Sequence, residues 1–108
     1  MKKMKLAVFT AEEDYAAAVA RGIAGFARRV DIRLCASRRE AEKAASEMVL
    51  LTDVAELRDI KNAVYMSGVC TADMLIDTAA EKWYEISGEH IAPERDGTRI
   101  WALYTRQG

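Results

Sequence analysis

One stretch limits what this chain can fold into. Met48, Val49, Leu50, Leu51, Thr52 and Asp53 form an uninterrupted apolar run that ends in Thr and Asp. A run so short and so apolar reads as a strand buried on both faces, as found inside a parallel sheet. Open α/β sheets place their sites at the carboxyl ends of such strands. Asp53 therefore stands where chemistry would be placed, and equally where a following helix would need a cap.

The flanking segments alternate around that strand. Residues 5–10 are a short apolar run, read as strand one. Thr10 and Glu13 have capping-box spacing, in which a hydroxyl and a carboxylate exchange hydrogen bonds with the free amides at a helix start. The expected helix carries Tyr15, Val19, Ile23, Phe26 and Val30 at spacings of three or four, one apolar stripe. Residues 31–36 alternate polar and apolar and read as strand two, at a more exposed position near an edge. Ser37 and Glu40 form a second box. It opens a short helix with Ala41, Ala44 and Ala45 toward the sheet. After the organising strand, Asp53 and Glu56 repeat the box pattern and predict a short third helix through Val54, Leu57 and Ile60. Residues 62–68 read as strand four. Thr71 caps a helix over about 72–82, with Leu75, Ala79 and Trp83 inward. Trp83, Tyr84, Glu85, Ile86 and Ser87 read as a short fifth strand. Residues 88–97 are loop-like and hold the sole proline, Pro93; residues 99–106 read as a further strand.

Strands alternating with helices predict an α/β fold: a three-layer, doubly wound, mostly parallel five-stranded sheet of flavodoxin-like order, with right-handed crossovers. Composition agrees. About half of the 108 residues are apolar, enough for one compact domain. The net charge of −1 gives no bulk attraction to nucleic acid or to an anionic membrane. No apolar run approaches the roughly 20 residues that span a bilayer. The N-terminus lacks a signal-peptide pattern, because Lys5 interrupts and Glu12, Glu13 and Asp14 follow. Cys35 and Cys70 have no metal-ligand spacing and read as free thiols of a cytoplasmic protein.

A flavodoxin-like order brings the loops after strands one, three and four together, and with them Glu12, Glu13, Asp53 and Ser67. Carboxylates so gathered could hold Mg²⁺, and Asp53 could accept a phosphoryl group. The capping pattern accounts for the same residues without any reaction, and that reading is preferred. Cys70 lies just before a helix whose dipole would lower its pKa. No His or second Cys is placed beside it, so an inert thiol is the better reading than a redox or phosphocarrier nucleophile. His90 stands alone. The segment 67–71 lacks the glycine spacing and lysine of a phosphate loop. Arg28, Arg29, Arg33, Arg38 and Arg39 read first as a solvated face, and otherwise as a docking patch for an acidic partner.

The order of strands and helices over residues 4–87, with Asp53 ending strand three and Ser67 ending strand four, resembles a response-regulator receiver domain. The resemblance implies that Asp53 is the phosphoacceptor position and Ser67 the switch hydroxyl. Two departures stand against catalysis. Phe9 and Thr10 occupy the place of the receiver acidic pair, with Glu12 and Glu13 later. Ser87 and Gly88, or Thr105 and Arg106, stand where a lysine would follow strand five. The sequence thus looks like an atypical or pseudo-receiver. Residues 98–108 look like the strand that enters the deviant Walker loop of MinD/ParA-type ATPases. A receiver-like domain followed by such an ATPase is the arrangement of TadZ/CpaE-like pilus-assembly proteins.

The resulting expectation is a receiver-like domain over 1–88, a loop or linker over 89–97, and a terminal strand over 98–108. That strand either completes this sheet or begins an ATPase domain cut short. The implied function is non-catalytic: a regulatory, protein-interaction module for localisation, homodimerisation or partner docking at the pilus machinery. It needs no cofactor and inserts in no membrane. This segment alone lacks the Lys and Ser or Thr that would bind ATP and its metal. The alternative is a working phosphoacceptor receiver, with Asp53 as nucleophile and Glu12 or Glu13 on Mg²⁺.

Overall fold

The structure is a computed structural model, and it describes residues 3–26, 29–66 and 72–91. Their order is β1 (Met4–Phe9), α1 (Glu13–Phe26), β2 (Val30–Leu34), α2 (Arg38–Ala44), β3 (Val49–Thr52), a 3₁₀ turn (Ala55–Leu57), β4 (Ala63–Tyr65) and α3 (Ala72–Ser87). The strands make one parallel sheet in the order β2-β1-β3-β4. The fold is α/β, as the alternation predicts, with four strands and three helices among the described residues.

The apolar run is where its composition puts it. All four residues of β3 are buried, and Val49, Leu50 and Leu51 are fully so. Consecutive residues are buried in β1 as well, at Leu6, Ala7 and Val8. Side chains of neighbouring strand residues point to opposite faces, so both faces of these two inner strands are covered. β2 is an edge strand, again as its alternation predicts, and among its residues none is fully buried.

Helix α1 buries Ala16, Val19 and Ile23. Its expected stripe ran on to Val30, but Val30 already belongs to β2, paired with Met4. Between them Arg29 adopts φ 64°, and its carbonyl accepts the Met4 amide at 2.9 Å. That left-handed residue turns the chain from helix into strand. The Ser37 and Glu40 box forms as read: the Ser37 hydroxyl accepts the Glu40 amide at 3.2 Å. The Glu40 carboxylate reaches back to the Ala36 amide at 2.9 Å. Ala41, Ala44 and Ala45 are buried, and the helix lies against β1 and β3.

Two expected elements differ. The segment after β3 forms no third α-helix, only a 3₁₀ turn of three residues. Residues 83–87 form no fifth strand. They are the last turns of α3, which runs for 16 residues. Leu75, Ile76, Ala79 and Trp83 are buried and Ile86 packs beside them, one continuous helical stripe. The β-preferring side chains Trp83, Tyr84 and Ile86 follow the packing and not their propensity. The Gly88 amide closes the helix on the Tyr84 carbonyl at 2.8 Å, and φ +73° there suits glycine. α3 packs against α1 and over β1, β3 and β4. Among the described residues no helix is long and apolar enough to cross a membrane. Residues 98–108 lie outside the described residues, as do Cys70, Thr71 and Arg28.

Candidate functional site at the carboxyl ends of β1 and β3

The pairing register sets this site. Phe9 pairs with Thr52, so both strands end at the same level and their following loops lie side by side. Thr10 and Thr52 are the two buried polar side chains of the core among the described residues. Buried hydroxyls need partners. The Thr10 hydroxyl donates to the Glu12 carbonyl, which folds the loop back on itself ahead of α1. The Thr52 hydroxyl oxygen accepts the Val54 amide at 3.1 Å, and the Thr52 carbonyl accepts the Met66 amide at 2.7 Å. Each threonine thus fixes the backbone that leaves its own strand.

Asp53 is half-buried at the end of β3. Its carboxylate does not cap the 3₁₀ turn, whose capping residue is Val54 with no side-chain bond. Instead Asp53 Oδ1 accepts the backbone amide of Ala11 at 2.9 Å, across 42 residues of sequence. The helix-cap reading of Asp53 is therefore replaced: the carboxylate ties the β1–α1 loop to the end of β3. The capping box expected of Thr10 and Glu13 is replaced likewise, since the Thr10 hydroxyl donates to a carbonyl and the Glu12 carbonyl accepts the Ala16 amide.

Of the residues singled out by sequence, Glu12 and Glu13 lie exposed at the start of α1, in the loop that Asp53 holds. Ser67 lies outside the described residues. Among the described residues no group of three or more His, Cys, Asp or Glu converges as a metal site. Sequence reasoning missed the Ala11 amide. A backbone donor carries no side-chain signal, and only the strand order brings it beside Asp53.

A cleft of about 600 Å³ opens next to this site, between the loops after β1 and β2, with Phe9, Thr10, Glu13, Asp14, Leu34 and Cys35 on its walls. Cys35 is buried there, its amide bound to the Val8 carbonyl at 3.0 Å. Burial pushes the thiol pKa up, the Arg33 charge pulls it partly back, and Glu40 adds to the rise. Such a thiol is protonated and a weak nucleophile. Arg33 is on β2, Arg29 in the turn before it, and Arg38 on α2, paired with Glu42 at 3.3 Å. His90 stacks on the Tyr84 ring with centroids 3.9 Å apart.

No family model, no curated protein and no solved structure matches the chain.

Proposed function

We propose that the chain is a non-catalytic, receiver-like interaction module of a TadZ/CpaE-like pilus-assembly or localisation protein, active through homodimerisation or partner docking. The parallel order β2-β1-β3-β4 supports the receiver-like reading. With right-handed crossovers, that order sends α1 and α2 to opposite faces, the doubly wound arrangement. The order in which successive strands are added reverses between β1 and β3, and open sheets of this kind bind ligands at such a switch point.

The observation that carries the non-catalytic reading is the bond from the Ala11 amide to Asp53. In receivers the acidic pair at the end of strand one and the phosphoacceptor at the end of strand three share a metal. Here Phe9 ends β1 and Thr10 follows it, and the Asp53 carboxylate accepts a backbone amide that joins two loops. That role supports a structural reading of the carboxylate over a catalytic one.

Incubation with acetyl phosphate and Mg²⁺, followed by intact mass, tests this. The expected result is an unmodified chain. An adduct of phosphate mass that Asp53→Ala abolishes would establish the phosphoacceptor reading in its place.

A further inference from the structure

We propose that the outer edge of β2 pairs with the same edge of a second copy, antiparallel and two-fold symmetric about Ile32. The proposal deepens the interaction-module reading, and rests on it in taking a protein partner.

Backbone parity gives the first argument. The Met4 amide bonds to the Arg29 carbonyl, and the Cys35 amide bonds to the Val8 carbonyl. The odd-numbered residues of β2 thus direct their polar groups to β1. Alternate residues of a strand point theirs in opposite directions, so Val30, Ile32 and Leu34 direct theirs to the open edge. Among the described residues no strand pairs there.

Charge gives the second. From Val30 to Leu34 the strand reads Val, Asp, Ile, Arg, Leu. Rotated about Ile32, it sets Asp31 opposite the second copy's Arg33, and Val30 opposite its Leu34. Both charged residues are exposed, and Leu34 is 50% exposed. The two arguments converge on one register. Ile32 meets its symmetry mate, and Val30 meets Leu34, as hydrogen-bonded pairs. Asp31 and Arg33 then form the non-hydrogen-bonded pairs, whose side chains approach most closely. Moving the axis to Asp31 or to Arg33 keeps the parity but sets like charges against each other, which is destabilising. A mixed-sign edge of this kind thus disfavours the register on either side of this one. Edges of a single sign are the usual device against pairing altogether.

Sedimentation velocity of the full chain over a range of concentrations tests the proposal, with circular dichroism to verify folding. Wild type is expected to dimerise. Asp31→Arg or Arg33→Asp alone sets like charges across the axis twice, and each should raise the dissociation constant at least tenfold. The double variant restores complementarity and should dimerise again. An equimolar mixture of the two single variants should form heterodimers. A monomeric wild type, or a dimer indifferent to the single variants, overturns the proposal. Neither outcome bears on the acetyl phosphate result, so failure of this edge and failure of the non-catalytic reading are told apart.

Discussion

Removing the Asp53 carboxylate separates a loop tie from a helix cap. In Asp53→Ala the Ala11 amide loses a charged acceptor at 2.9 Å. Hydrogen bonds to charged groups contribute about 1.5–3 kcal/mol when buried. Ala11 is exposed and Asp53 only half-buried, so water replaces part of the bond. The expected loss for this bond is about 1 kcal/mol, or roughly 4–8 °C in Tm for a domain near this size. Asp53→Asn retains a carbonyl oxygen in place and should lose less than half as much. Amide hydrogen exchange locates the effect. In Asp53→Ala, exchange at Ala11 should accelerate, while amides of the 55–57 turn keep their rates. Unchanged exchange at Ala11 with faster exchange in that turn would refute the tie and restore the cap.

Leu50→Ala should cost about 2–5 kcal/mol by denaturant unfolding, because Leu50 is fully buried inside the sheet and little can collapse around the gap. Leu34→Ala, on the exposed end of the edge strand, should cost less than about 1 kcal/mol in monomer stability by the same measurement. In a Cys70→Ser background, Cys35 should alkylate more slowly at pH 8 than the same thiol in urea, since its pKa lies above the ordinary value. Glu40→Gln should speed that alkylation and Arg33→Gln should slow it, following the signs of the two charges. The linked stability contribution is full below the unfolded thiol pKa and is lost as pH rises through the folded one, so denaturation midpoints of Cys35→Ala and wild type should converge or cross only on the alkaline side. Arg29→Gly should be neutral or stabilising by up to about 1 kcal/mol in thermal unfolding, because the left-handed conformation at φ 64° costs a side-chain-bearing residue more than glycine.

Where local chemistry and burial agreed, the fold could be read from residues alone. β3 was legible because nothing but a two-sided interior accommodates Val49, Leu50 and Leu51 in succession. α2 was legible because the Ser37 and Glu40 box is followed by buried alanines at helical spacing. Asp53 and Glu56 show the same spacing and do not box: the segment forms a 3₁₀ turn capped at Val54, and the distant Ala11 amide takes the Asp53 carboxylate. Trp83, Tyr84 and Ile86 favour a strand by local preference, yet the surface offered by α1 and the sheet continues the helix through them. Val30 fits the α1 stripe by period alone, and the Arg29 turn removes it to β2. At the site, the meeting of the two loops followed from strand order. The particular donor did not, since every residue but proline carries an amide.

The packing of α3 on α1 has a consequence for how the chain is made. α1 ends at Phe26 and its partner helix begins only at Ala72. Through the synthesis of β2, α2, β3 and β4, the side of α1 that α3 will cover has no cover from the chain already emerged. A ribosome-bound intermediate ending near β4 therefore presents an apolar seam to chaperones, and the late-made α3 is the segment that seals it. A chain stalled before α3 has emerged should be open to protease within α1, and release of the chain through Ser87 should close that site.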